Sequence, residues 1–188
     1  MATTAATKKA IATAFKGLLA TLPFEQIRVG DVCERSGRNR KSFYYHFKDK
    51  YDLVCWIFDS EFVARLREAL LADELTFEEI SRRLMLYFYE NRSFYRKILQ
   101  IEGQNSFKEY FGRMVEGYLR ELMGVPQGGK AQDFCISFYA DAILQSLERW
   151  LLQSPTLPPD IYLDFLRTSL RSFPKTAGGE IRWWEDDR

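Results

Sequence analysis

Apolar residues in the N-terminal third of the chain recur at helical spacing, and turn residues interrupt them. Ile11 and Phe15 begin one such face and Pro23 ends it, which predicts a first helix over about residues 7–21. A short second helix follows and ends at Gly37, because glycine readily takes the left-handed backbone conformation of a helix end. A longer apolar pattern over 49–71 predicts a fourth helix that extends beyond the first three.

A third, short helix is predicted over 40–46, between the glycine turn and the long fourth helix. The side-chain oxygen of Asn39 can accept a hydrogen bond from an otherwise unpaired backbone N–H at the start of that helix. Two short helices joined by a tight glycine turn form a helix-turn-helix motif. The first 48 residues are therefore predicted to be a three-helix domain.

The remainder of the chain has the same helical periodicity. The sequences TFEE at 76–79 and SFKE at 106–109 both fit the capping box, which marks two further helix starts. Loops rich in glycine or proline are predicted at 124–130 and 153–159. The helix between these loops is apolar on nearly every side and must be covered all round. With a last helix over 160–173 and no strand-like alternation, the prediction is an all-α fold of about nine helices.

Composition and charge narrow the class of protein. Hydrophobic residues make up 46% of the 188 residues and charged residues 28%, which is ordinary for a soluble globular protein. No stretch approaches the roughly 20 apolar residues of a membrane span, so we expect a cytoplasmic protein without membrane contact. Residues 1–50 carry ten basic and four acidic side chains, a net charge of +6, whereas the whole chain has +1. The N-terminal domain is therefore predicted to bind a polyanion.

The segment SGRNRKSFYYHFKDKYDL, residues 36–53, combines aromatic rings with cations. Phe43 and Phe47 are four residues apart and can anchor the third helix inward, which leaves Tyr44 to point outward. Lys48 and Lys50 flank the start of the fourth helix, where lysine is unfavourable unless an anion binds. Together with free backbone N–H groups they predict a phosphate site. A helix-turn-helix places its second helix in the major groove of DNA, so this segment favours DNA binding over a merely solvated face.

The same segment resembles the helix-turn-helix of TetR-family regulators, whose pattern is close to A-G-V-S-x-G-T-L-Y-Y-H-F-x-x-K-x-x-L. The upstream sequence IRVGDVC, residues 27–33, matches the family's I-T-V-x-D-I-A. The sequence from 39 to 62 also looks like the branch that includes regulators of dihydroxyacetone kinase operons. The resemblance implies a homodimeric transcriptional regulator, expected to be a repressor, that binds a pseudo-palindromic double-stranded DNA operator. It also implies a helical body that binds an effector and forms the dimer.

The resemblance assigns roles to individual positions. Tyr44, His46 and Lys50 occupy positions that contact phosphate in the family, and Arg28 replaces the usual threonine cap of the second helix with a cation that can reach a phosphate. The predicted DNA-binding residues are Arg28, Asn39, Arg40, Lys41, Ser42, Tyr44, Tyr45, His46, Lys48 and Lys50.

The body is predicted to provide an effector pocket and a dimer interface. The pocket would have an aromatic wall, the alternative being an aromatic-rich core. The interface would cover the apolar stretch around Trp150, the alternative being burial within one subunit. The pocket candidates are Trp56, Phe88, Tyr95, Phe107, Tyr110, Phe111, Tyr118, Phe138 and Tyr139; the interface candidates are Leu147, Trp150, Leu151, Phe165 and Leu166.

Other functions have less support. A co-regulator that acts through a protein partner, with secondary DNA binding, is the main alternative to control by a small molecule. An enzyme is disfavoured because the chain has a single histidine, no nucleophile–base pairing and no phosphate-binding glycine loop, and no metal or cofactor is expected. The predicted domains are a DNA-binding domain at 1–48, an effector and dimerisation domain at 49–175, and a tail at 176–188 that contains Trp183 and Trp184.

Overall fold

The computed structural model describes residues 2–71, 76–101, 103, 106–124, 126 and 128–172. Over these residues the chain forms nine α-helices and no strand, which confirms the predicted all-α fold. The tail with Trp183 and Trp184 lies outside the described residues. The helices are α1 Ala2–Thr21, α2 Val29–Ser36, α3 Arg40–His46, α4 over 50–71, α5 Phe77–Glu90, α6 Arg92–Ile98, α7 Phe107–Met123, α8 Lys130–Leu152 and α9 Pro159–Ser172. Within the part of the chain that is described, no helix has both the length and the apolar character needed to cross a membrane.

The first three helices pack around apolar residues that belong to the same continuous core as the body. Phe15 of α1, Val32 of α2 and Phe43 of α3 are all buried in it. Helix α1 begins five residues earlier than its apolar pattern predicts, because the residues before Ile11 are mostly alanine, threonine and lysine and give no periodic signal. Gly37 ends α2 with φ 65° and ψ 28°, which is the predicted left-handed conformation.

Helix α4 connects the three-helix domain to the rest of the molecule. It consists of an α-helical segment Lys50–Phe58, a π-helical turn Asp59–Val63 and a second α-helical segment Ala64–Leu71. The predicted single helix over 49–71 is thus confirmed, but its periodicity did not reveal the π-helical turn. Such turns widen a helix locally and are frequent at functional sites.

The body, residues 76–172, is built around a cluster of aromatic rings that centres on Phe58 of α4. Ring centroids of six neighbours lie 5.3 to 6.4 Å from that of Phe58. Thr76 and Glu79 form the predicted capping box at the start of α5, and Ser106 accepts a hydrogen bond from the Glu109 N–H at the start of α7. The six rings are those of Phe62, Tyr87, Phe88, Tyr95, Phe107 and Phe111.

Three of the five predicted dimer-interface residues, all on α8, are covered within their own subunit, which corrects that part of the prediction. Leu147, Trp150 and Leu151 are buried within the chain. The Trp150 ring stacks on Tyr162 of α9 at a centroid distance of 4.3 Å, and its Nε1–H donates to the Leu157 carbonyl over 2.9 Å. The three side chains are therefore buried without a second subunit, and α9 covers the Trp150 ring.

Candidate DNA interface

Helix α3 has one buried and one exposed face. Phe43 and Phe47 are buried with ring centroids 5.7 Å apart, and they attach α3 to the core of the three-helix domain. Tyr44 is 58% exposed and Tyr45 is 81% exposed. An aromatic side chain that is four-fifths exposed contributes little to stability, so Tyr45 is available for a partner. His46 is half-buried, and its ring lies edge-on to Tyr45 at 4.9 Å.

Caps at the start of α2 and α3 fix the geometry of the turn between them. Asn39 Oδ1 accepts a hydrogen bond from the Ser42 N–H at 2.8 Å, which confirms the predicted cap. At α2 the Arg28 N–H donates to Asp31 Oδ2 at 2.8 Å, so a carboxylate in the first turn pairs the backbone N–H of the residue before the helix. The exposed guanidinium of Arg28 takes no part in this bond and stays available for an anion.

Arg40 and Lys41 are adjacent on α3 but have different surroundings. The Arg40 guanidinium lies close to Gly30 of α2. If Gly30 carried a Cβ, that atom would be 3.0 Å from Arg40 Nη2. Burial raises the pKa of the nearby Cys33 thiol, and the positive charge of Arg40 partly offsets that rise. The Lys41 side chain is exposed. The α2–α3 surface therefore carries two exposed cations, of which Arg40 lies beside Gly30 of α2.

The two lysines around the start of α4 also differ. Lys48 is exposed, whereas Lys50 Nζ donates to the carbonyls of Phe24 at 2.6 Å and Ile27 at 3.0 Å. The same ammonium lies 4.2 Å from the Phe24 ring centroid, and burial lowers the pKa of Lys50. Two of its three N–H donors are thus used inside the domain. Lys50 holds the turn that precedes α2, which its sequence position did not indicate.

Two backbone N–H groups in the first turn of α4, those of Tyr51 and Asp52, are already paired, which corrects that part of the predicted phosphate site. Asp49 Oδ1 accepts from the N–H groups of Tyr51 at 2.8 Å and Asp52 at 2.9 Å. Asp52 Oδ2 accepts from the Lys48 N–H at 2.9 Å. Asp49 acts as the N-cap of α4, and Asp52 places a negative charge in its first turn, where the helix dipole favours one. The pattern Asp-x-x-Asp at 49–52 was the sequence signal for this arrangement.

The nine residues predicted to form an effector pocket do not share one cavity. Phe88, Tyr95, Phe107 and Phe111 are buried in the Phe58 cluster, where their rings contact one another. They are core residues, so the alternative interpretation of an aromatic-rich core holds for these four.

The other pocket candidates lie at separate places. Trp56 packs against Phe47 at 5.6 Å, at the junction of α3 and α4, and the Tyr110 hydroxyl donates to Asp59 in the π-helical turn. Phe138 is 52% exposed on α8, beside the half-buried Tyr139. Tyr118, together with Phe111, lines a separate apolar cavity of about 120 Å³ between α5, α7, α8 and α9.

A chain of polar contacts links α1 to the body at the π-helical turn, and sequence periodicity gave no sign of it. Lys16 Nζ of α1 lies 2.6 Å from both carboxylate oxygens of Glu61 in the turn. The Tyr87 hydroxyl donates to Glu61 Oε2 at 3.1 Å, so it accepts from the Tyr95 hydroxyl at 2.7 Å. Burial raises the pKa of both tyrosines, which keeps these protons in place. Lys97 Nζ of α6 adds a bond to the Leu19 carbonyl of α1 at 2.6 Å.

The described residues offer no group of three or more His, Cys, Asp or Glu side chains that could hold a metal ion. The chemistry of the α2–α3 surface is instead that of cations, hydroxyls and an amide on a rigid helical support. These are the groups with which proteins contact phosphates and base edges.

Comparisons with known proteins identify relatives of this chain. The family model TetR_C_8, described as a transcriptional regulator C-terminal region, matches residues 76–172, which is just over half of the chain. The HTH-type dhaKLM operon transcriptional activator DhaS of Lactococcus lactis subsp. lactis (strain IL1403) is 31% identical over 117 residues. That match covers 62% of this chain and 60% of the relative, so it spans less than two thirds of the curated protein.

Two solved structures share the fold. The dihydroxyacetone kinase operon activator DhaS aligns with a TM-score of 0.59 at 24% identity, over 89% of this chain and 97% of its own. A TetR transcriptional regulator from Streptococcus agalactiae 2603V aligns with a TM-score of 0.66 at 24% identity, over 89% of this chain and 95% of its own. These alignments include most of the described N-terminal domain as well as the body.

Proposed function

Given that the chain belongs to the TetR family of transcriptional regulators, we propose that it regulates transcription as a homodimer that binds a pseudo-palindromic operator. The observation that carries the proposal is the two-faced α3 helix, in which Phe43 and Phe47 are buried while Tyr44 and Tyr45 are exposed. A helix held in this way can enter the major groove without losing its attachment to the domain. The proposed DNA-binding domain is 1–48, and the effector and dimerisation domain is 49–175.

The proposed contacts divide into base and phosphate contacts. Arg40, Lys41, Ser42 and Tyr45 occupy the part of α3 that would face base edges, and Asn39 fixes the start of that helix. Arg28, Tyr44, His46 and Lys48 lie around it, where cations and hydroxyls would contact the backbone on both sides of the groove. Lys50 keeps one N–H donor for a phosphate, but its principal role in this proposal is to support the turn before α2.

The dimer would form through the outer faces of α8 and α9. Phe134 and Phe138 on α8 are 71% and 52% exposed and stack at 6.4 Å, and Ile161 and Phe165 on α9 are also exposed. Large apolar side chains on two adjacent helices are typical of a surface that a second copy covers. Phe165 is the one predicted interface residue that this surface retains, since Leu166 turns toward the apolar cavity.

A salt titration tests the proposal. Purified protein is titrated against DNA from its own promoter region, with a scrambled duplex as control, and fluorescence anisotropy is followed at several salt concentrations. We expect tight binding to one short site by two subunits, and we expect Lys41→Ala to reduce the salt slope by about one. Arg113→Ala, on an exposed position of α7, is the matched control and should leave the slope unchanged. Sequence-blind binding of the wild type would contradict the proposal and favour a co-regulator.

The sign of regulation needs its own measurement. The sequence resemblance led us to expect a repressor, whereas the two DhaS proteins are named activators. A reporter placed behind the operator is compared with and without the gene for this chain. Higher expression in its absence identifies a repressor, and lower expression identifies an activator.

A further inference from the structure

Helix α6 carries two adjacent cations, and each bonds the C-terminal end of a different helix. Lys97 Nζ donates to the α1 carbonyls of Leu19 at 2.6 Å and Ala20 at 3.3 Å. Arg96 Nη2 donates to the Leu151 carbonyl of α8 at 2.8 Å. Helix α1 has no basic residue in its own last turn, so α6 supplies the positive charge that its C-terminal end favours.

Proline explains why these carbonyls need a partner from another helix. In a continuous α-helix the carbonyl of residue i accepts a hydrogen bond from the N–H of residue i+4. For Leu19 that residue is Pro23, which has no N–H. For Leu151 it is Pro155, so the same bond is missing there. Both leucines are buried, and an unpaired carbonyl at either position would destabilise the fold. The two cations of α6 thus replace the bonds that proline removes.

Other side chains of α6 anchor the helix in the core. The Phe94 ring lies 6.4 Å from that of Phe15 in α1, and Lys16 Nζ lies 5.3 Å from the Phe94 ring centroid. Tyr95 and Ile98 are buried as well. A helix buried in this way has little freedom to move, because its neighbours are closely packed. The two cations of α6 therefore fix the end of α1 relative to the end of α8.

In a dimer, the bonds of α6 influence how far apart the two α3 helices lie. Helix α1 belongs with α3 to the DNA-binding domain, whereas α8 carries part of the proposed dimer surface, with Phe134 and Phe138 exposed. Helix-turn-helix dimers bind two half-sites whose centres are one helical turn apart, roughly 34 to 36 Å. One additional base pair moves a half-site by roughly 3.4 Å and turns it by roughly 35° about the DNA axis. A DNA-binding domain that is bonded firmly to α8 cannot follow such a displacement without losing contacts.

We propose that Arg96 and Lys97 are positioning residues that set the half-site spacing of the operator. The inference rests on the dimeric DNA-binding function proposed above. It concerns a connection through α6 that is separate from the Lys16–Glu61 pair and requires no bound effector. In this role the two residues select among operators by geometry and not by reading bases.

The test measures spacing preference with the full-length protein. The probes are the duplex site found by footprinting the promoter region, the same site with one base pair inserted or removed at its centre, and a duplex with a single half-site. The preference is the affinity for the native spacing divided by that for each altered spacing. For the wild type we expect a preference of at least about tenfold, because a displaced domain loses at least one hydrogen bond to a charged group.

Four variants assign that preference to the cations of α6. Lys97→Met and Arg96→Met each remove one cation and should lower the preference by about threefold or more. Lys97→Arg keeps a cationic donor and should retain most of the preference. Arg92→Met is the matched control, because Arg92 is an exposed cation of the same helix whose Nη1 donates to the Tyr89 carbonyl of α5 at 3.0 Å, within the body. It should leave the preference unchanged.

The half-site duplex distinguishes positioning from damage to the DNA-binding domain. Lys97→Met should bind it within about twofold of the wild type, because positioning matters only when two domains bind together. The inference is overturned if the wild type binds all spacings equally, if Lys97→Met and Arg96→Met both keep the wild-type preference, or if half-site affinity falls as much as full-site affinity. A preference lowered equally in Arg92→Met would overturn it as well. A wild type that binds no site as a dimer would contradict the proposed function instead.

Discussion

The aromatic residues of α3 and those around Phe58 form two clusters that differ in what surrounds them. Over 43–47, in α3 and directly after it, the buried Phe43 and Phe47 flank the exposed Tyr44 and Tyr45, and cations lie on both sides of the helix. Around Phe58 the rings come from four helices, and all but Tyr87 are buried. The same residue types thus form a recognition surface in one place and a core in the other. The difference lies in the neighbours, because a single short helix cannot cover both of its faces whereas several converging helices can.

Substitution of Phe58 should have the largest effect on stability and should distinguish the two clusters most clearly. Phe58→Ala removes the ring that contacts all the others, and we expect a loss of about 3 to 5 kcal/mol in the free energy of unfolding. Tyr45→Ala, at the most exposed aromatic position, should change that free energy by less than about 0.5 kcal/mol but weaken operator binding. Urea unfolding followed by circular dichroism measures the first quantity, and anisotropy measures the second. Equal losses of stability in the two variants would show that the clusters do not differ in this way.

The contrast also explains how much the sequence could predict. The caps at Asn39, Thr76 and Ser106 and the turn at Gly37 depend on residues within a few positions of one another, so local patterns found them. Whether an aromatic side chain on a long helix is buried or exposed depends on which other helices pack against it. Phe138 and Trp150 both fit an apolar pattern on α8, yet one is exposed and the other buried. The π-helical turn over Asp59–Val63 leaves no periodic signal, and neither does the Lys16–Glu61 pair, which joins residues 45 apart.

A second prediction separates the two lysines at the start of α4. Lys50→Met removes the ammonium that bonds the Phe24 and Ile27 carbonyls, and we expect a loss of about 1.5 kcal/mol in unfolding free energy. Lys48→Met removes an exposed cation, so it should leave stability nearly unchanged and weaken operator binding at low salt. Urea unfolding and salt-dependent anisotropy are measured on both variants. A stable Lys50→Met protein with reduced DNA affinity would return Lys50 to the predicted set of phosphate contacts.

A third prediction uses the cap of α3 to distinguish stability from recognition. Asn39→Ala removes the acceptor of the Ser42 N–H and should cost about 1 kcal/mol in unfolding free energy. Asn39→Asp keeps a cap of similar strength but places a negative charge where DNA phosphates would approach. Thermal unfolding should therefore detect only the alanine variant, whereas operator titration should detect both. If Asn39→Asp binds the operator as the wild type does, the start of α3 does not face the DNA.

The smallest expected effect belongs to the pair that joins the two regions. Lys16 and Glu61 are only partly buried, with side chains 29% and 36% exposed, so a double-mutant cycle of Lys16→Met and Glu61→Gln should give a coupling energy of about 0.5 kcal/mol in unfolding. The pair should influence DNA binding more than this value suggests. Glu61, in the π-helical turn, also accepts a hydrogen bond from Tyr87 of α5, so it relates the position of α1 to that of the body.

The cycle is therefore repeated with operator affinity as the measured quantity. Arg113 and Glu109, an exposed pair within α7, serve as the matched control. A coupling in operator affinity at Lys16–Glu61 but not at Arg113–Glu109 would identify the turn as the connection between the two regions; equal couplings would mean that each region functions on its own.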